Sequence, residues 1–388
     1  MSVLVKGGTV IDPVQGLNGV LDVALRDGKV VEVGSSISAN SSEEVFDASG
    51  LIVVPGLIDL HVHAFWGGST YGIDPDVSSL SKGVTTVLDA GSAGASNFPS
   101  FRSHIINKNR TSIYALLNIS TTGMVFRNDG ELHDLRWLDL NHTVEQGLQN
   151  KDCILGIKAR LGRVQSGKND KEALKISIEA AEAIGGFVML HIGNSNTPIP
   201  QLIDMLRPGD AVTHSFHGFG DGTLDSKVDV IESMKEAQSR GIVIDVGHGS
   251  GGFSFTAAER ALSEGLFPTT ISSDLHINNV TGPVFDLLTT MSKFIHLGMS
   301  VSEVISRCTQ FPAETMGLSN IGTLAAGSNG DLTVLKLEDG QFTFRDRLST
   351  ATSIGPNTWT PGMTVTSNSR LSHVLTVKDG EIYKPWLP

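Results

Sequence analysis

Apolar and polar positions along this chain follow two different rhythms. Both ends read as short strands broken by turns. Val3-Leu4-Val5-Lys6 runs into Gly7-Gly8, and the apolar run 19–25 leads to Asp27-Gly28, a dipeptide that favours a tight hairpin turn, with 29–34 as the returning strand. Residues 331–337 and 372–380 repeat that character near the C-terminus. Each end alone would expose an apolar face, so the two are expected to meet as one small β-sandwich. The middle instead alternates short apolar runs with helical patterns such as 171–183 and 226–240, as a parallel sheet with crossover helices does. Eight strand candidates end near His63, Asp89, Asn118, Lys158, His191, His214, Asp245 and Asp274. Eight such units over about 260 residues predict an α/β fold, a (β/α)8 TIM barrel. The expected organisation is 1–53 as the first part of the sandwich, 54–313 as the barrel and 314–388 as the rest of the sandwich.

The first barrel strand carries the sharpest signal, Val54-Pro55-Gly56-Leu57-Ile58-Asp59-Leu60-His61-Val62-His63. On a strand, residues i and i+2 face one side, so both imidazoles point into one space and can grip one metal ion. His-X-His also occurs in surface loops, but the apolar neighbours here argue for a buried strand. The other polar strand ends extend the set: Lys158 after strand 4, His191 after strand 5, His214 after strand 6 and Asp274 after strand 8. In a barrel these ends converge on one mouth. Each has a plainer reading. A single strand-end histidine can be structural, Asp274 could cap a helix, and Lys158 could point outward and snorkel. Their co-occurrence at the expected ends carries the argument.

Composition narrows the partners. The 388 residues include 43 glycines and are 40% hydrophobic, which fits an α/β enzyme rich in tight loops. Net charge is −12 and no basic run stands out, so nucleic acid is not an expected partner. Cys153 and Cys308 have neither metal nor redox spacing, which points to free thiols in a reducing compartment. The N-terminal apolar run is too short for a signal peptide and no segment is long enough to span a membrane, so a cytoplasmic location is expected. Oligomeric state stays open, with a homo-oligomer among the options.

With these residues in view, the chain resembles the amidohydrolase superfamily of metal-dependent hydrolases over nearly its whole length. The resemblance implies that His61, His63 and Asp274 bind one divalent ion, His191 and His214 a second, and Lys158 bridges both as N6-carboxylysine. Zinc is the usual ion, and carbon dioxide is needed for the lysine. Beside two dications an ammonium is repelled, so the Lys158 pKa should fall and free the amine to become a carbamate, whose two oxygens suit a pair of ions. The implied chemistry is hydrolysis of an amide or ester by metal-activated hydroxide, with Asp274 taking the proton and delivering it to the leaving group.

The substrate is less legible. Dihydroorotases carry an arginine two residues after the histidine pair, whereas this chain continues Ala64-Phe65-Trp66-Gly67-Gly68. It looks closer to the deacetylase branch often labelled dihydroorotase-like, which resembles enzymes acting on O-acetylated 2-hydroxy acids or N-acetyl-D-amino acids. Arg160, two residues beyond Lys158, could clamp a substrate carboxylate or pair with a barrel-mouth aspartate. Phe65, Trp66 and Tyr71 could meet an aromatic side group or pack within their loop. His248 is a candidate substrate contact, and His217 and His276 are candidate supports of the ligands. A cyclic amide hydrolase such as dihydroorotase or hydantoinase is the alternative. A non-catalytic scaffold fits poorly with a full ligand set.

Overall fold

The computed structural model describes residues 2–41, 43–126, 130–219, 222–225, 227, 229–347 and 362–384. Strands β1 (Ser2–Asp12), β2 (Leu17–Arg26), β3 (Lys29–Gly34), β4 (Glu44–Asp47) and β5 (Ile52–Pro55) open the chain. The β2–β3 connection is the two-residue Asp27-Gly28 turn, with φ of 49° and 75°. Both angles are positive, as the turn matching strand twist requires. Seven further strands follow: β6 (Leu57–Val62), β7 (Val84–Gly94), β8 (Ser112–Asn118), β9 (Ile154–Arg160), β10 (Phe187–His191), β11 (Ala211–Thr213) and β12 (Val243–Ile244). The C-terminal part supplies β13 (Leu332–Arg345), β14 (Thr364–Lys378) and β15 (Glu381–Ile382).

Two sheets result. One runs β15-β14-β13-β5-β1-β2-β3, with β4 paired to β1, and so joins both chain ends. The long-range pairing is β13 against β5, Leu332 opposite Pro55 and Leu335 opposite Ile52. Its core gathers Val3, Val23 and Val53 from the first part with Leu332, Val334 and Val377 from the second. Neither part alone could bury those side chains.

The other sheet is wholly parallel, in the order β6 to β12. Among the described residues no regular eighth strand forms. Instead the segment around 270–275 bridges both edges, Thr270 to Asp245 and Leu275 to Val62, and closes the curled sheet into a barrel. Helices cover its outside. In Asp170–Ile184 the buried positions 173, 174, 177, 180 and 181 recur at helical spacing, and the helix stops at Gly185 in the left-handed region, φ 73°. The pattern expected over 226–240 appears as a helix only from Glu232 to Ser239; Ser226 and Val228 lie outside the described residues. The two layers are fastened by hydrogen bonds from Thr333 Oγ1 to the Gly83 carbonyl (2.6 Å) and from Thr376 Oγ1 to the Leu80 carbonyl (3.0 Å). Cys153 and Cys308 are free and buried. No described helix is long and apolar enough to cross a membrane.

Candidate metal centre

The six strand-end residues singled out above meet at the barrel mouth. His61, His63, Lys158, His191, His214 and Asp274 all line one small cavity of about 40 Å³, together with Tyr71, Met124, Arg160 and His276. His61, His63 and Asp274 form the tightest group, with ligand atoms within 4.8 Å of one another. The His214 ring lies 5.2 Å from that of His61 and 4.4 Å from that of His191, centroid to centroid. Lys158 Nζ sits 3.3 Å from His61 Nε2 and is buried, so it does not snorkel. Gly91 makes room for it: a Cβ there would stand 2.6 Å from that of Lys158. His214 and Asp274 follow their strands at φ of 64° and 47°. Such left-handed conformations are costly for residues with a side chain, and they cluster at functional sites. No helix begins at Asp274, so the capping alternative is excluded; the next one is capped by Asp286.

Hydrogen bonds fix the imidazole tautomers. His214 Nδ1 lies 2.6 Å from the Gly247 carbonyl, which only accepts, so Nδ1 carries the proton and Nε2 the lone pair. His61 Nδ1 contacts Thr213 Oγ1 at 2.9 Å, and that hydroxyl donates to Asp245 Oδ2 at 2.7 Å. The hydroxyl must therefore accept from His61, which leaves Nε2 unprotonated as well. Asp245 also receives Thr270 Oγ1 (2.6 Å) and Ser272 Oγ (2.8 Å). His63 Nδ1 contacts Ser92 Oγ at 2.9 Å, and Asp89 accepts the Ser92 and Ala64 backbone N–H groups at 2.7 Å each. Partners of this kind orient a metal-binding histidine and set which nitrogen faces the ion.

Electrostatics make the cavity acceptor-rich. Burial pushes His63 down to about 3 and His214 to about 4, and drives His61 and His191 well below the ordinary imidazole range. All four are neutral near pH 7. Among the described residues Asp274 Oδ1 is buried with no hydrogen-bond partner, while His63 Nε2 stands 3.1 Å and His61 Nε2 3.4 Å away. At His61, whose Nε2 is unprotonated, a lone pair and a carboxylate oxygen face one another without a proton between them and repel unless a cation sits between them. The nitrogen and oxygen donor set, neutral histidines with a carboxylate, is that of a divalent-metal site. Lys158 is pushed down to about 7, chiefly by burial, so the fall expected from neighbouring dications is already present without them. Asp59, on the same strand face as His61, accepts the Ser273 backbone N–H at 2.9 Å and its hydroxyl, tying the eighth segment to the first strand. Burial raises its carboxyl to about 7. Gly249 is packed against the last ligand: a Cβ there would stand 2.4 Å from Asp274 Oδ2.

The small cavity adjoins a cleft of about 450 Å³ lined by Tyr71, Arg160, His217, Phe219 and His276 among others. Arg160 lies on the expected face. Its ion-pair partner is Glu131, Nη1 to Oε1 at 2.9 Å, rather than an aspartate, and its guanidinium carbon lies 5.7 Å from the Tyr71 ring centre. Phe65 packs on Phe101 and Trp66 is exposed, so of the loop aromatics Tyr71 alone among the three lines the cleft. His248 turns away: it stacks on Phe253, and its Nε2 faces Lys293 Nζ at 2.6 Å. In the sequence Asp89 and Asp245 stand out only as strand ends, and no local pattern marks Thr213, Ser92 or Glu131. An aspartate closing an apolar strand, as in Val87-Leu88-Asp89, was the signal for the first two.

The barrel presents at its mouth a donor set that fits a divalent metal. Comparison with known proteins names the class: residues 52–382 match the Amidohydrolase family, and the chain belongs to it as a hydrolase. A deacetylase of Agrobacterium fabrum is 36% identical over 82% of this chain and 79% of that one. A deacetylase of Enterococcus faecalis is 33% identical over 98% of each. Among solved structures, an adenine deaminase superposes with TM-score 0.88 at 31% identity over 99% of each chain. A dihydroorotase gives 0.87 at 31% identity over 98% of each.

Proposed function

We propose that the protein is a two-metal deacetylase that cleaves an acetyl ester or amide of a small carboxylic acid, an O-acetylated 2-hydroxy acid or an N-acetyl-D-amino acid. One observation carries the reading: a six-residue donor set, five of its members buried and His191 half-buried, opens onto a cleft in which Arg160 is the sole lysine or arginine among the described lining residues. In this reading His61, His63 and Asp274 hold one divalent ion and His191 and His214 the second. Lys158, as N6-carboxylysine made with carbon dioxide, bridges them; zinc is the ion we assign. When bound, such a pair supplies Lewis-acid polarisation of the scissile carbonyl and acidifies a water.

The chain's own residues do the rest. Asp274 Oδ1, free of competing donors, accepts the water proton and returns it to the leaving oxygen or nitrogen. His61, His63 and His214 do not compete for that proton, because burial keeps them neutral with Nε2 turned inward. Arg160 binds the substrate carboxylate through the N–H groups that Glu131 leaves unused, and Glu131 holds the guanidinium in place. Tyr71 and Met124 wall the small cavity against bulk water.

Zinc-loaded protein screened against acetylated 2-hydroxy acids and N-acetyl amino acids of both hands tests this. Release of acetate with kcat/KM on the order of 10⁴ M⁻¹ s⁻¹ or more is expected. N-carbamoyl aspartate, hydantoins and adenine belong in the same screen, since relatives bear the names dihydroorotase and adenine deaminase. Turnover of only these compounds contradicts the proposal. Cyclic-amide hydrolysis is the second reading, favoured by the dihydroorotase structure. Against it, Phe65 stands where dihydroorotases carry their arginine and is buried against Phe101.

A further inference from the structure

One buried polar atom of the cleft wall has no task in the scheme above. His217 is 1% exposed and lines the same cleft as Arg160. The Phe219 backbone N–H donates to its Nδ1 at 3.0 Å. A ring nitrogen that accepts carries no proton, so a neutral His217 bears its proton on Nε2. Because Nδ1 accepts, the ring carries a single proton and is neutral. Yet Nε2 is buried with no hydrogen-bond partner among the described residues. Native structures rarely leave a buried donor unpaired, and a ligand arriving from outside is one way to pair it. Two glycines flank this edge of the ring: a Cβ at Gly222 would stand 2.5 Å from Nε2 and one at Gly193, φ 135°, 3.7 Å from it, so the missing side chain of Gly222 is what keeps that edge clear of a clash. His276, another neutral histidine of this wall, differs. Its Nδ1 accepts from the Asn278 N–H at 3.2 Å, and its Nε2 already meets Ser250 Oγ at 3.4 Å.

We infer that His217 is a specificity-determining residue whose Nε2–H is the second donor, beside Arg160, to the carboxylate of the bound acid. The inference rests on the reading that the cleft takes a carboxylate-bearing acid. A guanidinium and a neutral imidazole N–H offer donors and no acceptors. That environment suits a carboxylate, which accepts at both oxygens, and gives an ester much less. A neutral donor also adds recognition without adding a buried charge, which is expensive to hold. In this role His217 sets which acids bind and takes no part in proton transfer.

Calorimetry of zinc-loaded, full-length protein with 3-phenyllactate of both hands, and with its methyl esters, tests the assignment without turnover. In His217→Phe the acid of the preferred hand should bind about tenfold more weakly. The methyl ester should change less than twofold, and His217→Gln, which restores an N–H, should recover most of the loss. In parallel, KM for the acetylated acid should rise with kcat little changed. Acid binding in His217→Phe within twofold of wild type overturns the inference. So does equal weakening of acid and ester, or no binding of either hand of the acid to wild type. Where the phenylalanine variant does not fold, the imidazole ¹⁵N spectrum of the wild type decides. Addition of the acid must shift the His217 Nε2–H resonance, and no shift refutes the contact. Failure of acetyl hydrolysis in the substrate screen is a separate result that bears on the proposed activity, because these binding measurements need no reaction.

Discussion

Replacing Lys158 by alanine removes the one side chain that the two-metal reading asks to touch both ions. Burial sets the scale of what is lost. A lysine at its ordinary pKa of 10.5 has its amine free at pH 7 in about one molecule in 3,000, whereas one at about 7 has it free in about half. Carbon dioxide adds only to the free amine, so the buried position makes the carbamate accessible by roughly three orders of magnitude. Loss of an outer-shell partner costs roughly 10–100-fold in metal affinity, and loss of a bridging ligand should exceed that. Lys158→Ala should therefore purify with one ion per chain or fewer, against two for wild type by plasma emission. Wild type exchanged with ¹³C-bicarbonate should show a carbamate carbon resonance that the variant lacks. Acetate or propionate, whose carboxylate can enter the vacated space, should restore part of the metal content and activity. A variant that keeps both ions and full activity refutes the bridging role. So does a wild type without a carbamate signal.

Other consequences can be checked with single variants or pH series. Buried histidines held at about 3 or 4 bind fewer protons in the folded chain than in the unfolded one between pH 4 and 6.5. Their contribution is fully present above 6.5 and lost as pH falls, so the melting temperature of metal-free protein should drop steeply from pH 7 to 4. The carboxyls of Asp59, Asp89, Asp245, Asp331 and Asp346, all raised by burial, act in the opposite sense, but the lowered histidines outnumber them, since His61, His191, His248 and His373 join the four above. A flat pH profile contradicts this balance. Thr213→Val removes the acceptor of His61 Nδ1 and a donor to Asp245, and should weaken metal binding about 10–100-fold in a chelator competition; unchanged affinity argues against a role for that chain. Arg160→Met should raise KM for carboxylate-bearing substrates far more than for neutral esters, and equal effects remove Arg160 from substrate binding. Glu131→Gln leaves the Arg160 charge buried and unpaired and should destabilise the fold by about 3–5 kcal/mol in denaturant titration; a cost under about 1 kcal/mol places the pair among weak surface bridges.

The parts of the fold that obey a local rule were readable from the sequence. Two-residue periodicity put His61 and His63 on one face, and the Asp27-Gly28 turn announced its hairpin. Polar residues closing apolar strands marked the barrel mouth. What depends on distant contacts was not readable. The eighth barrel segment is held by isolated bridges to Val62 and Asp245 rather than a continuous ladder. β13 and β14 extend well past their apolar centres because each pairs with the other. Arg160 pairs with Glu131, carried by a loop whose position no periodicity encodes. His248 had the same local signature as the ligands, a histidine after an apolar strand, and only the stacking on Phe253 and the contact with Lys293 separate it from them.

Every role proposed for the barrel mouth depends on divalent ions bound there. Crystals of zinc-loaded protein, with diffraction recorded on both sides of the zinc absorption edge, measure this directly. Two anomalous peaks are expected, one among His61, His63 and Asp274 and one beside His191 and His214, with continuous density from Lys158 between them. A map without peaks there, or with zinc bound only elsewhere, contradicts it.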